Sequence, residues 1–183
     1  MREVKVKIRI SDVSQTIRTL ETQGCIFGET ITQRDVVYIP NEVPTVPAPA
    51  GTNVLRIRYQ DGKTLFTLKR SDEGNYLSKL EHELGIADGE EMGRVIKLLG
   101  YKVISDTTKA RRKCRTGKYE ICVDRVKEPG DFLEIEEITA EDPAQAQREM
   151  LNHLAKMGID VSGRVDVGYD VLYVRSHDHT DAR

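Results

Sequence analysis

Gly130-Asp131-Phe132-Leu133-Glu134-Ile135-Glu136-Glu137-Ile138 is the stretch on which the fold turns. Leu133 and Ile135 alternate with Glu134 and Glu136, so a β-strand here places two aliphatic side chains on one face and two carboxylates on the other. Taken alone, such a strand reads as part of an open sheet with one solvated face. The other reading turns the glutamates toward a charged interior. The number of strands that share the pattern decides between the two.

Many share it. In residues 3–10, Val4, Val6, Ile8 and Ile10 lie on one face and Glu3, Lys5, Lys7 and Arg9 on the other. Ser11 or Asp12 caps a helix running to about Gln23, with Gly24 as its stop. Residues 25–39 read as a strand. Four prolines in the next ten residues, Pro40 to Pro49, exclude a central strand or helix and give an exposed loop. Val54–Tyr59 and Thr64–Arg70 flank an Asp61-Gly62 hairpin turn, with Arg56 and Arg58 opposite Leu55 and Ile57, and Lys69 opposite Leu68. Residues 76–84 set Lys79, Glu81 and Glu83 against Leu80 and Leu84. A helix from Gly89 to Leu99 follows. Tyr101–Arg115, carrying Lys109 and Arg111, and Lys118–Val126, carrying Glu120 and Asp124, form a second hairpin around Thr116-Gly117. Asp142-Pro143 begins a third helix. Residues 164–175 add one short element, and the domain spans 1–175 with a disordered tail at 176–183.

An internal repeat is visible in outline. Gly24 to Asp35 resembles Gly100 to Arg111 at an offset of 76 residues, and Leu80–Leu84 resembles Leu133–Glu137 at an offset of 53. Each copy then reads helix, strand, hairpin, Glu-x-Glu strand, and two similar halves face each other across a pseudo-two-fold axis.

Six or seven alternating strands, with amphipathic helices to cover their apolar sides, predict an α+β fold: a closed eight-stranded antiparallel β-barrel with flanking helices. Its interior holds Glu3, Lys5, Lys7, Arg9, Arg56, Arg58, Lys69, Lys79, Glu81, Glu83, Arg111, Glu120, Asp124, Glu134 and Glu136. Unpaired buried charges are costly, so this interior is wet and internally paired, or filled by a charged ligand. Lysine and arginine bind phosphate oxygens, and clustered carboxylates without histidine or cysteine select Mg²⁺ or Mn²⁺. Together they describe a site for a metal-bound polyphosphate.

Composition bounds the other classes. The 183 residues allow one domain, at 38% hydrophobic and 32% charged. A net charge of −2, no Trp and 5% aromatics disfavour a nucleic-acid-binding barrel. Cys25, Cys114 and Cys122 have no metal-ligand spacing and read as small sheet residues. His82 reads as outward-facing. No apolar run reaches membrane-spanning length and no signal-peptide pattern opens the chain, so the cytoplasm is the expected location.

The chain also resembles a known family. Glu3-Val4-Lys5-Val6-Lys7 is similar to the N-terminal Glu-x-Glu-x-Lys signature of the CYTH superfamily, the triphosphate tunnel metalloenzymes. Gln33-x-Asp35-x-x-Tyr38, Leu55-Arg56-Ile57-Arg58, Leu65-Phe66-Thr67-Leu68-Lys69, Glu81-x-Glu83, Lys109-x-Arg111, Asp124-Arg125-Val126 and Gly130-x-Phe132-Leu133-Glu134-Ile135-Glu136 extend the likeness over residues 3–175. It is strongest to the class IV adenylyl-cyclase-like branch.

The resemblance implies that Lys5, Lys7, Arg56, Arg58, Lys69, Lys79, Lys109 and Arg111 bind a triphosphate. It implies Mg²⁺ or Mn²⁺ on Glu3, Glu81, Glu83, Asp124, Glu134 and Glu136, and catalytic work by Lys7, Arg111, Glu134 and Glu136. Members cyclise ATP to cAMP and pyrophosphate, or hydrolyse thiamine triphosphate, inorganic triphosphate or RNA 5′-triphosphates. The implied partner is such a small-molecule triphosphate, with no membrane and no nucleic acid; a homodimer is left open. One departure stands out: Lys5 replaces the second signature glutamate. That leaves adenylyl cyclase, triphosphatase and non-catalytic nucleotide or polyphosphate binder all in play.

Overall fold

Aspartate side chains start three helices in the same way. Asp12, Asp88 and Asp142 each accept a backbone N–H three residues on, at 2.9 Å. They cap α1 (Val13–Thr22), α2 (Gly89–Leu98) and α3 (Pro143–Lys156). Gly24 and Gly100, with φ of +89° and +88°, turn the chain out of α1 and α2 through the left-handed region. The computed structural model describes residues 2–44, 46–72 and 75–178.

The strands are β1 (Arg2–Arg9), β2 (Ile31–Pro40), β3 (Asn53–Gln60), β4 (Lys63–Asp72), β5 (Asn75–Ile86), β6 (Tyr101–Thr116), β7 (Tyr119–Val126) and β8 (Gly130–Thr139). They pair antiparallel in the order β5-β4-β3-β2-β6-β7-β8-β1, and β1 meets β5 through Glu3↔Lys79 and Val4↔Ser78. That contact closes the eight-stranded barrel expected from the alternation. A two-residue strand, β9 (Arg164–Val165), pairs with β1 at Lys7 and Ile8. Helix α4 (Tyr169–Asp178) follows.

The apolar sides face outward, under the helices. Val4, Val6, Ile8, Ile121, Leu133 and Ile135 pack with Leu20 of α1 and Met150 and Leu154 of α3, all fully buried. Burying side chains of this size contributes about 1.5–3 kcal/mol each. Val36, Tyr38, Leu55 and Ile57 form a second cluster with Ile96 of α2.

Three sequence expectations change. Residues 25–30 are not strand, because Cys25 turns inward from α1, its N–H bonded to Leu20 O, and Gly28 N–H donates to Lys113 O before β2 begins. The 164–175 region holds two elements instead of one, and α4 continues to Asp178, past the expected start of the tail; residues 179–183 lie outside the described residues.

The repeat is real in register but differently divided. Gln33 pairs with Lys109, Asp35 with Thr107 and Ile31 with Arg111. Adding 76 to a β2 residue exchanges these pairs among themselves, as a two-fold axis through Gln33–Lys109 requires. The same 76 carries Glu3 onto its own partner Lys79. Each copy is therefore β-α-β-β-β: β1-α1-β2-β3-β4 and β5-α2-β6-β7-β8. The 53-residue match is overturned, since β5 corresponds to β1 and β8 to β4. The 12-residue connection 41–52 against the two residues 117–118 reduces the offset by 10, to 66 at β3 and β7.

Candidate active site

Every second residue of the eight strands points inward, and their charged side chains line a cavity of about 340 Å³. Among the described residues, nine cationic and seven carboxylate side chains line it. All eight residues expected to hold phosphate are there: Lys5, Lys7, Arg56, Arg58, Lys69, Lys79, Lys109 and Arg111. So are Glu3, Glu81, Glu83, Glu134 and Glu136.

Asp124 is not on the cavity wall. It lies fully buried beneath it, accepting both arms of Arg111 at 2.6 and 2.5 Å and the Tyr169 hydroxyl at 2.7 Å. Arg9 and Glu120 also fall outside the lining. The Arg9 guanidinium donates to Pro129 O at 2.8 Å and lies over the Phe132 ring, while Glu120 holds Lys113 at 2.6 Å. Arg112 points outward, donating to Gly28 O, as alternation with Arg111 requires. His82 is exposed, on the opposite face of β5 from Glu81 and Glu83.

Cross-strand register makes the ion pairs. Lys5 faces Glu136 and Lys7 faces Glu134 across β1·β8; Lys69 faces Glu81 across β4·β5. The Lys5 ammonium sits 2.6 Å from Glu3 and 3.1 Å from Glu136. Lys7 is 3.4 Å from Glu134, and Lys69 2.5 Å from Glu81. Asp35 accepts both arms of Arg58 at 2.7 Å and Lys109 at 2.8 Å. Arg111 reaches beyond Asp124 to Glu134 at 2.6 Å. Arg56 binds Thr67 and Glu83, each at 3.0 Å.

Burial sets the charge states. It lowers Lys7 to about 8 against the pull of Glu134, Lys109 to about 8 against that of Asp35, and Lys69 to about 7, where nearby Arg56 adds to the effect. Burial also opposes the charge on Lys5, but Glu136 and Glu3 outweigh it and hold that ammonium well above its ordinary value. Lys5 in turn draws Glu3 down to about 2. Burial opposes Glu134 ionisation too, yet Lys5, Lys7 and Arg111 keep its carboxyl well below the usual range. The three cysteines are buried free thiols, and burial and the adjacent Cys25 push Cys114 up, away from the thiolate form.

Sequence reasoning left Asp35, Lys113, Tyr169 and Asp170 out of the site, and all four line the cavity. Asp35 stood within a quoted motif and on the same alternation as Gln33, which was signal enough. Tyr169 enters from α4, where strand periodicity has nothing to say. Its ring centroid lies 3.6 Å from the Lys7 ammonium and 5.3 Å from that of Lys109.

The carboxylates are hard oxygen donors and suit Mg²⁺ or Mn²⁺ in chemistry. In position they suit it less. Glu3 and Glu136 share an ammonium, Glu134 binds Arg111 and Lys7, and Glu81 binds Lys69. Among the described residues, one set of three metal-capable side chains has ligand atoms within 4.8 Å of one another: Glu120, Cys122 and Glu136. Lys113 already neutralises Glu120.

A closed barrel lined by so many charged side chains has a counterpart among known proteins. The CYTH domain pattern matches residues 1–169. The chain belongs to the CYTH domain family. A Methanocaldococcus jannaschii protein provisionally named an adenylate cyclase is 27% identical over 175 residues, covering 92% of this chain and 97% of that one. The PH1012 protein from Pyrococcus horikoshii superposes with a TM-score of 0.79 at 26% identity, over 93% of this chain and 98% of that one. A Hippeastrum protein, first assigned as an adenylyl cyclase and described as having a dominant triphosphatase activity, shares the fold at a TM-score of 0.62 and 16% identity, over 97% and 96% of the two chains. No helix among the described residues of the present CYTH chain is long and apolar enough to cross a membrane.

Proposed function

We propose that this CYTH protein binds the triphosphate chain of a small molecule in the tunnel and breaks a phosphoanhydride bond with the help of Mg²⁺ or Mn²⁺. One observation carries the reading: nine cationic side chains converge on a single cavity, interleaved with carboxylates. Arg56 and Arg58 offer forked donors to phosphate oxygens, and Lys7, Lys69 and Arg111 add charge to the developing negative centre. Glu134 and Glu136 would hold a divalent ion brought in on the triphosphate, and it would supply the further charge neutralisation that bond breaking needs. Glu81 and Glu83 face the same space and can orient a water or a hydroxyl in line with the bond to be broken.

Hydrolysis is the chemistry the lining favours. Val37, Val54 and Tyr169 are the apolar or aromatic side chains among its described members, which gives a base or thiazole ring little to rest on. Cyclisation of ATP to cAMP is the second reading, favoured by the name of the Methanocaldococcus relative. A product assay separates them: ATP, thiamine triphosphate and inorganic triphosphate, each with Mg²⁺ and with Mn²⁺. Orthophosphate supports hydrolysis and cyclic AMP supports cyclisation. The absence of any product from all three contradicts the enzymatic reading and leaves a polyphosphate binder.

A further inference from the structure

The position of Lys5 carries an inference that deepens the triphosphate reading and rests on it. A carboxylate at this position, as in the family signature, would face Glu136 directly across β1·β8 with Glu3 alongside. Three carboxylates at such spacing repel and call for a divalent cation among them. Here an ammonium lies between the other two, 2.6 Å from Glu3 and 3.1 Å from Glu136. Exchanging carboxylate for ammonium raises the local charge by two units, the charge that one divalent ion brings.

Nor is the Lys5–Glu136 pair an isolated accident. The two-fold relation carries Lys5 onto Glu81, and the matching β4–β8 register carries Lys69 onto Glu136. Lys69–Glu81 is thus the same cross-strand pair with its charges exchanged, built into the other copy at 2.5 Å. We propose that the Lys5 ammonium is a built-in replacement for one divalent cation between Glu3 and Glu136, so that the tunnel holds a triphosphate chain without a metal at that place.

Calorimetric titration with inorganic triphosphate, in excess Mg²⁺ and in EDTA, tests this alongside Mn²⁺ titration of the free protein followed by electron paramagnetic resonance. The unaltered protein should bind triphosphate in EDTA within about threefold of its affinity in Mg²⁺, a difference under 1 kcal/mol. Lys5→Glu should lose about tenfold or more in EDTA and gain a Mn²⁺ site that the unaltered protein lacks. Lys5→Gln should lose metal-free affinity without gaining the Mn²⁺ site, and it decides the matter if Lys5→Glu does not fold. The proposal falls if EDTA removes binding to the unaltered protein while Mg²⁺ supports it, an outcome that leaves the triphosphate reading standing. It falls also if a folded Lys5→Glu gains no Mn²⁺ site. No binding in either condition overturns both readings.

Discussion

The two β-α-β-β-β copies, residues 2–72 and 75–139, share a plan and oppose each other in charge. Matched through their registers, Glu3 corresponds to Lys79, Lys5 to Glu81, Lys7 to Glu83, Asp35 to Arg111, Arg58 to Asp124 and Lys69 to Glu136. All six positions change sign. At Glu3 the reason is local: the two-fold axis sets it against its own mate Lys79, where like charges would repel and opposite signs attract. The six pairs cancel. The excess positive charge of the tunnel comes from places where the mate is neutral: Arg56 against Cys122, Lys109 against Gln33, Lys113 against Val37.

Arg111 and its mate Asp35 give the largest test. Arg111→Met leaves fully buried Asp124 and nearly buried Glu134 without their guanidinium, and should cost about 3–5 kcal/mol by urea denaturation. Asp35→Asn frees Arg58, which reaches solvent, and Lys109, which can shed its proton near pH 8; its loss should be smaller. Equal losses would deny the asymmetry between floor and wall.

Glu134 and its mate Thr67 come next. Glu134→Gln should lower turnover of the preferred triphosphate by at least about a hundredfold while leaving the thermal transition cooperative. Thr67→Val should change turnover by less than about tenfold, because it loses one hydrogen bond to Glu83 and one from Arg56. Full activity in Glu134→Gln would remove the carboxylate from the mechanism.

The Lys5–Glu136 and Lys69–Glu81 pairs can be made alike. Lys5→Glu alone should destabilise the fold by about 1–3 kcal/mol, since it faces Glu136. Adding Glu136→Lys recreates the order of the other copy and should recover most of that loss, a coupling visible in a double-mutant cycle. Additive losses would show that the pairing of signs is incidental.

The smallest effect is on pH. Lys69 titrates at about 7, and Lys7 and Lys109 at about 8, all below their unfolded value of 10.5. A phosphate chain favours their charged forms, so triphosphate affinity should be greatest below pH 7 and fall, by about threefold to tenfold, as pH rises from 7 to 8. Stability of the free protein runs the other way. The unfolded chain binds more protons between these values and 10.5, so the lysines add stability as pH rises through that range. Lys69→Arg, always charged, should remove the step near 7; an unchanged profile would acquit Lys69.

These comparisons also show what the residues disclose in advance. Alternation on Leu133-Glu134-Ile135-Glu136 and its counterparts was legible, because a period of two fixes which side chains share a face whatever the tertiary context. The 76-residue offset was legible from Gly24 and Gly100, which end matching helices. The match of Glu81-x-Glu83 to Glu134-x-Glu136 misled, because the fold conserves facing and inverts sign: the true mates of those glutamates are Lys5, Lys7, Thr67 and Lys69, which no search for identity pairs. Tyr169 was hidden for another reason. It reaches the tunnel from α4, and its place depends on how the chain returns after β9.

A crystal structure of the protein with inorganic triphosphate and Mg²⁺ tests the central claim most directly. The account predicts three phosphorus peaks inside the tunnel, within hydrogen-bond reach of Arg56, Arg58 and Lys7. Triphosphate bound on the outer surface, or a tunnel whose ion pairs stay closed at saturating ligand, would contradict it.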